Sequence, residues 1–197
     1  MPVAERKPAN PLALAVLSLL NERPMHPYEI GTTMRERRMA DTIKLNTGSL
    51  YATIKSLHGG GWIEPVATER EGRHPERTVY APTEKGKALF HDWLRSLIAK
   101  PVKEYPQFAA GLSFLGHLAP EEAGRLLEER LRETDRLLQE ERASLKAAAD
   151  SGVDRLFLIE TEYAIAMMEA ERNWIAAVLR EIRGGTLTKL WKGLQTK

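Results

Sequence analysis

The chain has 197 residues, 43% of them apolar and 28% charged, ordinary globular values that indicate neither a disordered nor a membrane-embedded protein. The formal net charge is only +2 and there is no cysteine, which removes disulfides, thiolate chemistry and the commonest structural zinc sites and fits a reducing compartment such as the cytoplasm. The length suits two small domains, each able to bury a core.

In chain order, residues 1–9 read as an unanchored polar arm, with Arg6 and Lys7 as the groups able to reach a DNA minor groove. Asn10 then caps and Pro11 opens a helix that is apolar on nearly every side, through Leu12, Leu14, Val16, Leu17, Leu19 and Leu20. This run is too short to span a bilayer and has no signal-peptide cleavage pattern after it. Pro24–Pro27 breaks the chain, and a second helix follows with Tyr28, Ile30 and Met34, ending in the arginine-rich stretch 35–38.

Asn46 caps a third helix, expected to run to His58, whose apolar residues Leu50, Ile54 and Leu57 share one face. The other face carries Thr47, Gly48, Ser49, Ala52 and Lys55 with Tyr51 at its flank, small, hydroxylated or cationic groups that suit entry into a major groove. Gly59–Gly61 end the helix, Trp62–Val66 reads as a strand, and a second strand returns at Thr78–Tyr80. The connection between them holds Arg70, Arg73 and Arg77, cations able to lie along a phosphate backbone, interleaved with Glu69, Glu71 and Glu76. Helix, strand, basic loop and strand make a winged helix-turn-helix plan. A solvated hairpin with no ligand is the alternative.

Thr83 caps a fourth helix to about Lys100, with Ala88, Leu89, Trp93, Leu94, Leu97 and Ile98 along it. Pro101–Pro106 marks the boundary between a domain of residues 1–100 and one of 101–197. The first 98 residues hold fourteen Lys/Arg against eleven Asp/Glu, so the basic excess lies on the side of the proposed reader.

In the second half, Phe108–Leu118 reads as a short apolar helix. A longer helix starts at Pro120 and runs to about Ala149, with Leu127, Leu131, Leu138 and Leu145 repeating in sevens and fours. Glu121 to Arg125 and Glu128 to Arg132 are spaced as supporting ion pairs along it. The last helix, roughly 153–183, carries two apolar stripes. One is Leu156, Ile159, Tyr163, Met167, Ala170, Trp174 and Val178; the other is Leu158, Ile165, Met168, Ile175 and Leu179. That arc is wider than one neighbour can cover, so a second copy is expected there, with Leu127, Leu131, Leu138, Tyr163, Met167, Trp174 and Val178 in the dimer face. The tail beyond Gly184–Gly185, with Leu187, Leu190, Trp191 and Leu194, is expected to dock on the partner rather than on a membrane.

The order of Leu14–Leu20, the turn Pro24-Met25-His26-Pro27-Tyr28-Glu29-Ile30, Gly48-Ser49-Leu50-Tyr51, Leu57 with Gly61-Trp62-Ile63-Glu64, Arg77 with Tyr80, and Thr83-Glu84-Lys85-Gly86 resembles the N-terminal domain of the PadR family of transcriptional regulators. The resemblance covers about the first half of the chain and departs from the family at two positions. Pro27 stands where glycine is usual before the tyrosine, and Ala52 where proline commonly follows the Leu-Tyr pair.

What the resemblance implies is a mainly α fold with a small two-stranded wing, a helical dimerisation domain and a dimeric repressor whose third helix enters the major groove of promoter DNA. It also implies a small apolar or aromatic effector, for which Trp93 is the candidate contact; plain core packing explains that tryptophan equally well. The five histidines lack metal-ligand spacing, and no nucleophile elbow, phosphate loop or dinucleotide fingerprint occurs, so neither enzyme, metal nor cofactor is expected. The rival expectation is a winged-helix protein adaptor that does not bind DNA, favoured by the modest charge and the mixed-sign wing.

Overall fold

The computed structural model describes residues 10–69, 77–187 and Trp191. The chain divides into two compact units, Met1–Lys103 and Glu104–Lys197, each with its own apolar cluster.

In the first unit, α1 (Pro11–Glu22) is the hub. The Asn10 side chain accepts from the Leu12 amide at 3.0 Å and fixes its start. Seven of its residues, including Leu12, Val16, Leu17 and Leu20, are buried, and it packs against α2 (Pro27–Glu36), α3 (Thr47–Gly59) and α4 (Glu84–Ala99). The Asn46 cap of α3 forms a reciprocal box: its Oδ1 accepts from Ser49 N at 2.7 Å, while its own N–H donates to the Ser49 hydroxyl at 3.4 Å. Leu50, Ile54 and Leu57 are buried, as their spacing requires. Gly31 on α2 allows the close approach of α3, since a Cβ there would come within 3.1 Å of Leu50 Cδ2.

The wing is longer than the apolar alternation suggests. Strand β1 (Ile63–Glu69) pairs antiparallel with β2 (Arg77–Pro82), with an irregularity between Pro65 and Ala67 that leaves Val66 unpaired. Ala67, Thr68 and Glu69 carry no apolar signal; cross-strand pairing keeps them extended. A bridge adds the chain before α2, because Met25 and Tyr80 exchange backbone hydrogen bonds of 3.1 and 3.0 Å. The wing is thereby tied to the start of α2. At its root, Trp62 N donates to the Leu57 carbonyl and Thr83 N to the Trp62 carbonyl, both at 3.0 Å.

In the second unit, α5 (Gln107–Leu112) is shorter than expected. The helix stops at Ser113, and a 3-10 turn over Leu115–His117 replaces its second half. Helices α6 (Pro120–Asp150) and α7 (Ile159–Arg183) pack together along their length. Ion pairs from Arg183 to Glu128, Arg172 to Asp135 and Arg142 to Glu169 show that they run antiparallel.

The pairs along α6 differ from those expected: Glu128 takes Arg183 of α7 rather than Arg132, and Arg125 lies 3.8 Å from Glu129, one turn further along α6, rather than beside Glu121. A partner helix at hand lets one arginine serve packing and charge together. Among the described residues no helix is long and apolar enough to cross a membrane.

Candidate nucleic-acid interface

Helix α3 divides cleanly. One face is buried in the core of the first unit, and Thr47, Gly48, Tyr51, Ala52, Lys55 and Ser56 on the other are exposed. Tyr51 keeps 50% of its surface accessible. Ser49 lies between the faces, half-buried, and its hydroxyl serves the capping box. Its bonds there hold the first turn of the helix.

A groove of about 470 Å³ lies between α3, the start of α2 and strand β2. Tyr51, Lys55 and His58 line it from α3, Tyr28 from α2, and Arg77 and Thr78 from the wing. All of these carry a hydrogen-bond donor or a positive charge, and among the described residues none of the lining groups is a carboxylate. The His26 ring caps α2 by accepting from Glu29 N at its Nδ1, 3.1 Å away, so its Nε2 carries the proton and is a further donor on the groove wall.

In a chain with 27 acidic residues, a concave surface bare of them has the electrostatic character of a polyanion seat. Charge neighbours elsewhere in the unit are satisfied locally: Arg37 forks onto Glu22 at 2.6 and 2.8 Å and holds its carboxyl below the ordinary value.

The sequence-derived site residues are only partly gathered here. Tyr51, Lys55 and Arg77 share the groove, and Thr47 is exposed on α3 outside its lining. Arg77 is the first residue of β2 rather than part of the wing tip, with its guanidinium carbon 5.4 Å from the centre of the Tyr28 ring. Arg70 and Arg73 lie outside the described residues. Tyr28, His26 and Thr78 were missed by sequence reasoning. Their only signal was proximity to the Pro24–Pro27 turn and the return strand, which gains meaning once the Met25–Tyr80 bridge brings both to one wall. Trp93 is half-buried against the core of the first unit, the packing role already open to it.

The residues of the expected dimer face differ in burial within one chain. Leu127 and Leu138 are buried within one chain; Leu131 and Val178 are half-buried against the cluster of Leu127, Ile175 and Leu179. These four line the seam between α6 and α7. Tyr163, Met167 and Trp174 remain 66%, 53% and 43% exposed on the opposite side of α7. Of the two stripes, Leu158, Ile165, Ile175 and Leu179 are buried in the chain, and the stripe through Tyr163 is exposed at Leu156, Ile159, Tyr163, Met167 and Trp174 and half-buried at Val178. In the tail, Trp191 is already buried in its own chain, whereas Leu190 and Leu194 lie outside the described residues.

A winged helix with a donor-lined groove beside its third helix, followed in the chain by a helical hairpin unit, defines the fold class. Within it, residues 16–92 match the model of the transcriptional regulator PadR-like family. The chain is 27% identical over 180 residues to the negative transcriptional regulator PadR of Bacillus subtilis, across 87% of this chain and 97% of that protein. It is similar in fold to B. subtilis PadR solved in complex with operator DNA, with a TM-score of 0.71 and 23% identity over 89% of this chain and 99% of that one. The same regulator solved with p-coumaric acid superposes with a TM-score of 0.70 and 21% identity, covering 87% and 98% of the two chains. The family model covers residues 16–92, the same half of the chain that carries the sequence motifs.

Proposed function

We propose that the protein binds an inverted repeat in promoter DNA as a homodimer and represses transcription there. The observation that carries this reading is the carboxylate-free groove between α3 and β2, walled by Lys55, Arg77 and the hydroxyls of Tyr51 and Thr78. Tyr51 and Lys55 approach base edges or the flanking phosphates, Thr47 lies at the helix N-terminus where amides favour phosphate, and Ser49 holds that turn in place. Arg77 contacts the backbone and carries little base information.

Two readers are needed to give an inverted repeat, and the bare stripe of Tyr163, Met167 and Trp174 supports a second copy as their link. The operator complex of the B. subtilis relative supports DNA as partner. Its complex with p-coumaric acid supports a small aromatic molecule as the effector class, with Trp93 as candidate contact. No catalytic step, metal or cofactor enters this function.

The test is affinity for a duplex from the promoter region, measured across rising salt. Several phosphate contacts predict a steep fall in log K against log salt, with a slope of about −0.9 for each phosphate neutralised. Tyr51→Ala and Lys55→Ala are expected to weaken binding and relax sequence preference. A salt-insensitive or absent interaction would instead favour the protein-adaptor reading.

A further inference from the structure

We infer that Tyr28 is a positioning residue that aims Arg77 at the DNA backbone, so that wing and α2 act as one clamp. This rests on the DNA-binding reading and extends it to a residue outside α3 and the wing.

Tyr28 is the second residue of α2, held at a fixed start by Pro27 and by the His26 cap. Its ring stays 62% exposed and lies 6.2 Å from the His26 ring at an interplanar angle of 27°. An aromatic ring left this open at the mouth of the groove contributes little to the core. What it does contact is the Arg77 guanidinium, over its face at 5.4 Å.

The two residues are separated by 49 positions in sequence yet hang from one anchor: Met25, three residues before Tyr28, exchanges both backbone hydrogen bonds with Tyr80, three residues after Arg77. A guanidinium on three carbons has many rotamers, and fixing it without help costs entropy on binding. A ring beneath it restricts that set before DNA arrives, while leaving the N–H edges of the fork open to phosphate oxygens, because a stacked arginine donates in its own plane. The wing cation is thus referenced to α2 rather than to its own strand alone.

The experiment is a set of variants in the full-length protein, each checked for fold by thermal melting and assayed against one promoter duplex over a salt series. Tyr28→Ala and Tyr28→Leu are each expected to lose about two- to fivefold in affinity, the size of an exposed cation–π contact. Tyr28→Phe keeps the ring and is expected to bind within twofold of wild type. Arg77→Ala is expected to lose more and to flatten the salt slope by about one phosphate. Adding Tyr28→Ala to Arg77→Ala is expected to cost nothing further, because the ring then has nothing to position.

Wild-type binding by Tyr28→Ala or Tyr28→Leu overturns the inference. So does a loss in Tyr28→Phe equal to that in Tyr28→Ala, which would make the hydroxyl itself the contact. Additive losses in the double variant overturn it as well. Failure of the wild-type protein to bind any promoter duplex would refute the regulator reading itself.

Discussion

Replacing Gly86 by alanine tests how closely α4 is seated on the root of the wing. A Cβ at that position would lie 1.9 Å from the Trp62 carbonyl oxygen and 2.9 Å from its carbon. Carbon and oxygen in contact rest at roughly 3.3 Å or more, so the first turn of α4 and the Trp62 backbone must part by about 1.4 Å. The same carbonyl accepts from Thr83 N at 3.0 Å. The Thr83 hydroxyl bridges the same joint, donating to the Gly61 carbonyl at 2.8 Å and accepting from Gly86 N at 3.1 Å.

Overpacking of this kind costs about 1–3 kcal/mol, and the disturbed cap adds about 1 kcal/mol. Alanine's better helix propensity returns at most about 1 kcal/mol. The balance is a loss of roughly 2 kcal/mol, which lowers the melting temperature of a unit of ~100 residues by about 8–16 °C. Scanning calorimetry resolves it, with the fluorescence of Trp62 and Trp93 reporting the first unit. Gly59→Ala is the control: a Cβ there meets nothing within 4 Å, so it is expected to be neutral or stabilising by up to about 1 kcal/mol. Melting of Gly86→Ala within 2 °C of wild type, or greater damage from Gly59→Ala, would refute the argument.

Charges placed on the bare stripe separate the two apolar faces of α7. The Met167→Asp, Trp174→Asp double variant is expected to stay folded and to sediment at the single-chain mass of 22.2 kDa, against twice that for wild type. Leu138→Asp, by contrast, is expected to unfold the hairpin, since that side chain is buried in its own chain.

Acid is expected to loosen the junction of α1 and α2 slightly. The Arg37 guanidinium, by hydrogen bonding, lowers the Glu22 carboxyl below its ordinary value near 4.5. A carboxyl lowered in the folded state contributes stability that is complete above its unfolded value and is lost as pH falls through the folded one. The pair is about half exposed, so the loss below pH 4.5 is about 0.5 kcal/mol. Glu22→Gln is expected to flatten the pH dependence of stability in that range, and an unchanged slope would show the pair contributes nothing.

Features decided within a few residues were legible in the sequence. The caps at Asn10, Asn46 and Thr83 each satisfy amides of the turn they precede, and all three form as their residue types require. Which face of α3 is buried followed from the spacing of Leu50, Ile54 and Leu57. Features decided by a distant neighbour were not legible. Periodicity marks Leu127, Leu138 and Met167 alike as apolar, and only the register of α6 on α7 tells which are covered by the same chain. Glu128 pairs with Arg183 rather than Arg132 for the same reason. Tyr28 joins the candidate site through a bridge between residues 55 positions apart, Met25 and Tyr80, and no local pattern announces it.

The central claim is that paired α3 helices read one face of a duplex, and a footprint of the purified protein on the DNA flanking its own coding region tests it most directly. Two protected half-sites of inverted sequence are expected, with centres one helical turn or a small multiple of it apart, about 34 Å for one turn. Protection is expected to disappear as salt rises. A single unpaired footprint would contradict the dimeric arrangement, and no protection at low salt would contradict DNA reading altogether.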